Sequence, residues 1–427
     1  MTNILSLRRI GPYTAMTALF LFFLIFLILP VYTVVKEGLR LPLLREIFTI
    51  FIYREGLLNS LAIAGVTTVM VFLIALPLAL LYDRFEFPGK SLSHLAAMVP
   101  MILPPFVGAL GFQQILGHYG ILNTLLVKLG MARVDFLGSE YKFWSVCAIE
   151  ALHLYPIFYL NLVTALGNID PALDEAAANM GAGAWKRFRT IRLPLLKSGI
   201  LAGGSIVLVW SFTELGTPLM FGYNRTTAVQ ILNGLTELES NPVPYALVLI
   251  MLVFSAALYT FSKLVLGRTS ATSGKGTMGS RGYVLAGWKR FIPGAIFLGV
   301  TFCAALPHIA LILAAFSKRY YGTILPEGFT LEYFEEALSN SLVLPSIVNS
   351  LRYSLLAMVI ATCCGLAVSL ASVRWKLRFS GAADVLAMLP LAVPGVVVAF
   401  GFLSMSVRYD WAAKCFNPVE IRSGCWR

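Results

Sequence analysis

Apolar residues occur along this chain in long blocks separated by short polar stretches. Blocks at roughly 14–35, 57–82, 93–116, 143–167, 199–221, 243–266, 291–316, 348–372 and 382–407 predict nine transmembrane helices. Each block exceeds the ~20 residues that a helix rising 1.5 Å per residue needs to cross a bilayer core. Arg8 and Arg9 precede the first block. That block is longer than the core of a secretory signal and has no small-residue cleavage site, so it reads as a first span with the N-terminus inside. Pro100, Pro104 and Pro105 predict a kink in the third span, because proline removes a helix hydrogen bond and clashes with the preceding turn.

Composition supports this layout. Of 427 residues, 58% are hydrophobic and 13% charged, about half the charge of a water-soluble domain. The net charge of +12 does not indicate nucleic acid, because the cations cluster in alternate loops. Segments 1–13, 83–92, 168–198, 267–290 and 373–384 together hold 17 Lys and Arg against six acids. The intervening loops hold fewer bases than acids. By the positive-inside bias the first set is cytoplasmic. Cys147, Cys303, Cys363 and Cys364 lie in or beside apolar blocks and read as small hydrophobes. No Cys-x-x-Cys or Cys/His ligand spacing occurs, so no structural metal, disulfide framework or cofactor is expected.

One cytoplasmic segment stands apart: Asp170 to Pro194, IDPALDEAAANMGAGAWKRFRTIRLP with Ile169 in front. Asp170 is placed to cap a short helix that Pro171 opens. Leu173, Ala176, Ala177 and Met180 recur at helical spacing as one small-residue face. Gly181 and Gly183 end that helix, Trp185 to Arg192 can form a second, and Pro194 is expected to stop it. Glu175-Ala176-Ala177 is followed after three residues by Gly181, after nine more by Ile191, and then by Leu193-Pro194. This stretch resembles the coupling loop of binding-protein-dependent ABC importer permeases, with all seven fixed positions and both intervals kept. The resemblance implies an all-α polytopic membrane protein. It also implies a docking role for Glu175, Ala176, Ala177, Gly181, Ile191, Leu193 and Pro194 against a separate cytoplasmic ATPase. The basic residues of the loop can pair with an acidic rim on that partner. An ordinary basic loop would account for the charges but not for the spacing.

The chain also repeats itself. Asn59–Phe112 and Asn349–Phe402 align without a gap at an offset of 290, with 15 identities in 54 positions. Pro100 matches Pro390, Pro104 matches Pro394, and Asn59-Ser60-Leu61 matches Asn349-Ser350-Leu351. Parallel repeats of this kind frame the central path of transporters. The reading is a first permease half over 1–266, a Gly/Ser/Lys-rich linker over 267–290, and a second half over 291–427. Glu175 follows Phe112 by 63 residues, and the same interval from Phe402 passes residue 427. The expectation is therefore a second half that lacks its own coupling loop, through truncation or frameshift, with a natural short form as the alternative. The tail from Arg408 to Arg427 does not resemble the first-half segment after Phe112.

No phosphate-binding loop is present: Gly89-Lys90-Ser91 and Gly274-Lys275 both lack the glycine that the motif needs. No hydrolytic triad or zinc spacing occurs, so the chain is expected not to be an enzyme. Ionisable groups inside apolar blocks are costly and mark function or pairing. Glu150 and His153 in the fourth span are three apart and can pair. Glu214 lies in the fifth span, in WSFTELGTP, which resembles a segment of ferric-iron-type permeases in which an Asp often stands in its place. Gln113 ends the third span. Glu214, Glu150, His153 and Gln113 either line the path or are satisfied interhelical pairs; both readings stand at this point.

The resemblance to ferric-type permeases runs from about residue 10 to 407. It implies a bacterial inner-membrane importer subunit that works by alternating access. The expected partners are ABC ATPases inside, a soluble substrate-binding protein outside and the lipid bilayer, with no nucleic acid. Ferric iron is the favoured cargo, with polyamine, phosphonate, thiamine or sulfate as alternatives. An ion-coupled secondary transporter using Glu150 and Glu214, or a non-transporting truncated permease, is the competing reading.

Overall fold

The computed structural model describes residues 2–138, 141–237, 241–269, 282–375, 377 and 380–409. Residues 270–281 of the 267–290 linker and 410–427 of the Arg408–Arg427 tail lie outside the described residues. Helices dominate. Among the described residues seven are long and apolar enough to cross a membrane, and two further helix pairs pass the same test as sharply bent units. The nine blocks read from the sequence therefore all correspond to helical segments.

Helix α1, Pro12–Gly38, is continuous apart from one wide turn at Leu24–Ile28. Helix α2, Phe51–Arg84, carries Pro77 inside it without a break. The third block is not the single kinked span that the sequence predicts. Helix α3, Lys90–Ile102, and the next segment, beginning with α4 at Pro105–Leu116, meet at 92°. The cause is local. Leu103 precedes a proline and sits in extended backbone at φ −83°, ψ 135°, and Pro104 follows at φ −61°, ψ 136°. Pro105 then opens α4, where its absent N–H leaves nothing unsatisfied.

Helix α5, Lys142–Gly167, is the most enclosed span. After it come the short helix α6, Pro171–Asn179, and helix α7, Lys197–Phe212. Two short helices follow, α8 at Gly216–Met220 and α9 at Thr227–Asn233, and then the long α10, Val243–Thr269. Helix α11 is Ile292–Ala315 and α12 is Val343–Ser369. The last block breaks as the third does: α13, Ser380–Ala392, and α14, Gly395–Arg408, are bent by 96° next to Pro394. The matched prolines of the repeat thus make matched breaks.

Two compact units are present. One comprises Met1–Phe51, Ile231–Ala256 and Leu331–Arg427; the other comprises Ile52–Gln230 and Ala257–Thr330. In the first unit, Met16, Leu19, Phe23 and Leu27 of α1 pack with Val368, Ala371 and Ala383. Gly401 of α14 lies directly on Pro30 of α1, with no room for a side chain. In the second unit, α2, α5 and α7 surround Val71, Ala75, Leu154, Tyr155, Phe158 and Leu162. Gly199 and Gly203 of α7 let its backbone approach Asn161 and Phe158 of α5. Gly111 of α4 sits against the backbone of Pro307 in α11 in the same way. Two small sheets complete this unit. Strand β1, Phe85–Glu86, pairs in parallel with β2, Tyr283–Val284. Strand β3, Ser317–Arg319, pairs antiparallel with β4, Glu327–Phe329.

Candidate coupling loop and intramembrane polar residues

The loop 170–194 forms the short helix that its sequence specifies. Asp170 accepts a hydrogen bond from the Ala172 amide at 2.9 Å, and Pro171 occupies the first turn of α6. Gly181 takes φ +81°, a conformation that glycine adopts freely, and so reverses the chain after Met180. The Ala182 amide then bonds to the Ala177 carbonyl at 3.0 Å and the Gly181 amide to Ala178 at 2.9 Å, closing the helix end.

Two details differ from the sequence reading. The residues Leu173, Ala176, Ala177 and Met180 do not share one open face. Ala177 is turned inward and buried, while Leu173, Ala176 and Met180 stay exposed, as does Glu175. Pro194 also does not stop the second helix. Helical backbone runs from Ala184–Arg187 through a wide turn at Phe188–Arg192 into Leu193–Leu195, and α7 begins two residues later. Pro194 falls in the first turn after the wide turn, where a proline is tolerated. Ile191 and Leu193 are half-buried and Pro194 is exposed.

Charge holds the loop in place. The Asp174 carboxylate accepts from Arg187 Nη1 and from Arg192 Nη2, each at 3.1 Å. Arg192 Nη1 also reaches Asp83 Oδ2 at the end of α2, at 3.3 Å. All four side chains are about four-fifths covered, which screens these pairs less than pairs in open water. Asp174 thus ties α6 to the returning chain, and Arg192 ties both to α2. The sequence reading gave these arginines to a partner; two of them face inward instead. Lys186, Arg189 and Lys197 remain exposed, as do Met180 (83% exposed) and Trp185 (72%). Trp185 and Phe188 stack at 5.6 Å and wall a cleft of about 320 Å³ with Leu80, Arg84 and Asp174.

The intramembrane candidates fall into separate settings. Glu150 is buried on α5 and accepts from Ser211, and from Thr67 at 3.4 Å. It does not pair with His153, the bond that their spacing allows. His153 is hydrogen-bonded instead toward the Pro100 backbone. Glu214 lies where the helix breaks between α7 and α8. Its Oε1 accepts from the amides of Gly216 at 2.9 Å and Thr217 at 3.3 Å, so it caps α8. Gln113 donates to the Met220 carbonyl at 2.5 Å, fastening α4 to the end of α8. Its neighbour Gln114 donates to the Tyr320 carbonyl after β3. Sequence reasoning missed Ser211, Thr67 and Asp83, since an isolated hydroxyl or a chain-end acid carries no pattern of its own.

The chain is similar to proteins of known kind. A family model described as binding-protein-dependent transport system inner membrane component matches residues 66–270, which include the whole loop. A putative ferric transport system permease protein of Haemophilus influenzae is 26% identical over 81% of this chain and 55% of its own length. A putative 2-aminoethylphosphonate transport system permease protein of Salmonella choleraesuis is 30% identical over 51% of this chain and 77% of its own length. The chain spans about half the length of the curated ferric relatives it matches. Among solved structures, a chain of a bacterial ABC transporter involved in alginate import superposes with a TM-score of 0.52 at 18% identity. That match covers 63% of this chain and 99% of the other, and it shows a shared fold.

Proposed function

The chain belongs to the binding-protein-dependent transport system inner membrane components, and from that premise we propose that it is a permease subunit of an ATP-driven importer. It performs no covalent chemistry. Cytoplasmic ATPase subunits dock on the loop 170–194, a soluble binding protein docks on the outer face, and the N-terminus is cytoplasmic. The observation that carries this reading is the form of the loop. A capped nine-residue helix presents Leu173, Glu175 and Ala176 outward, with Met180 exposed just past its end, while Asp174 and Arg192 fix its base to α2. A push on the exposed side is thereby delivered to a spanning helix. Alternating access follows if nucleotide binds the inward- and outward-open states with different affinity. Glu150, His153, Glu214 and Gln113 stand on the spans that such a switch would move.

Ferric iron is the proposed cargo. Its support is the extent of the ferric resemblance, 81% of the chain, against 51% for the aminoethylphosphonate relative. The decisive experiment is Glu175→Lys in the full chain. Membrane insertion should be retained and co-purification with the ATPase lost. Unchanged co-purification, or uptake driven by an ion gradient without any ATPase, would overturn the proposal. Uptake of radioactive ferric iron by cells with and without the gene tests the cargo separately.

A further inference from the structure

The cleft beside the loop continues into an apolar track on the surface of α2. Val69, Leu73, Pro77, Leu80 and Arg84 follow one another at helical intervals of three and four, so they share one side of that helix. Val69, Leu73 and Pro77 are exposed and apolar. Leu80 and Arg84 then form part of the cleft wall with Trp185 and Phe188. At 1.5 Å per residue the track from Val69 to Leu80 is about 17 Å long. The hydrocarbon of one leaflet is about 15 Å deep, half of a bilayer core. The track therefore matches one acyl layer, and the cleft at its end falls at headgroup level. The exposed Trp185 suits that depth, where tryptophan gathers in membrane proteins.

The charges of the cleft define the polar end of its occupant. Asp174 is the one acid in the wall, and Arg187 and Arg192 already match it. Arg84 forms no ion pair among the described residues; its guanidinium lies 5.8 Å from the centre of the Phe85 ring. Arg187 gives Nη1 to Asp174, but its Nε is buried without a partner. A buried donor left unmet is costly, so an acceptor belongs there. Lys186 and Arg189 stand exposed on the same limb and add to the positive excess. Arginine suits phosphate oxygens, because its fork of N–H groups fits their geometry. A free phosphate would satisfy the arginines but leave the apolar track without a purpose.

We propose that this cleft seats the headgroup of an anionic phospholipid of the cytoplasmic leaflet, with an acyl chain lying along Val69, Leu73 and Pro77. Its phosphate accepts from Arg84 and from Arg187 Nε, while Trp185 and Phe188 wall the glycerol. The volume of about 320 Å³ is at the small end of the ~300–1,000 Å³ range of small-molecule sites. Basic pockets on the cytoplasmic side of spanning helices are suited to anionic headgroups. The lipid adds a second tie between the returning limb of the loop and α2, beside that of Arg192 to Asp83. The inference uses the cytoplasmic placement of the loop but not ATPase docking, so either can fail alone.

The test uses the full chain in nanodiscs of phosphatidylcholine doped with a phosphatidylglycerol whose acyl chain carries a diazirine. Irradiation and peptide mapping should place adducts on residues 69–80 and 184–188. A phosphatidylcholine bearing the same diazirine should label those peptides at least about fivefold less, the effect of one basic contact at a membrane surface. This comparison needs no variant, so it decides the matter even where a substitution impairs folding. Arg84→Gln should lower the phosphatidylglycerol label about fivefold, and Arg84→Lys, which keeps the charge, should retain most of it. Lys197→Gln, which removes an exposed cation outside the cleft, should leave the label unchanged. Equal labelling by the two lipids, or adducts confined to other segments, would overturn the proposal. So would competition by soluble glycerol phosphate, which would assign the cleft to a free phosphate. Loss of the label on adding ATPase subunits would assign it to that partner and overturn the proposal as well.

Discussion

Asp174 is the residue on which the loop's geometry depends. It stands one position before Glu175, and in sequence both belong to the same polar surface. Only the fold brings Arg187 and Arg192 onto it from 13 and 18 residues away. That explains why the motif was legible and the brace was not: the motif is a set of intervals, whereas the brace needs two chain reversals. Partly covered pairs like these are worth about 0.5 kcal/mol each, or about 1 kcal/mol for the two that Asp174 makes. Asp174→Asn keeps the shape and removes the charge, so it should open the loop about fivefold more often. Trypsin cleavage after Lys186 and Arg189 in inside-out vesicles should accelerate by that factor. An unchanged rate would mean that the arginines find equal support elsewhere. Exchange of the charges, with Asp83→Arg and Arg192→Asp together, should recover part of what Arg192→Asp alone loses.

Among the elements, the broken pair α3–α4 shows where sequence reasoning stops. Three prolines in six residues announced a kink, but not a turn of 92°. The angle depends on where α4 lies, and α4 lies on α11, about 190 residues further along the chain. Gly108 and Gly111 make that contact possible: His308 is 3.5 Å from where a Cβ of Gly108 would sit, and Gly111 touches the Pro307 backbone. Gly111→Leu should therefore lower the melting temperature of the detergent-solubilised chain, through overpacking of about 1–3 kcal/mol. Gly365→Leu, on an open face, should not. Replacing Pro104 and Pro105 together by Ala frees Leu103 to become helical. Spin labels at Leu95 and Leu125 should then move apart; an unchanged distance would assign the bend to packing alone.

For the whole molecule, nine apolar blocks, their charge asymmetry and the 290-residue repeat were all readable from the sequence, because each is a property of spacing and composition. The two compact units were not, since each gathers segments from distant parts of the chain. The orientation can be checked directly. In a background without native cysteines, Ala176→Cys should react with an impermeant maleimide only in inside-out vesicles, and Leu41→Cys only in right-side-out cells. Reversal of that pattern would invert the topology and remove the loop from any cytoplasmic partner. The seating of Gly111 against Pro307 has a last consequence. The helix that opens the downstream repeat is a structural component of the upstream one. Splitting the gene between Thr269 and Gly282 should consequently yield two polypeptides that remain joined through detergent extraction and a sizing column.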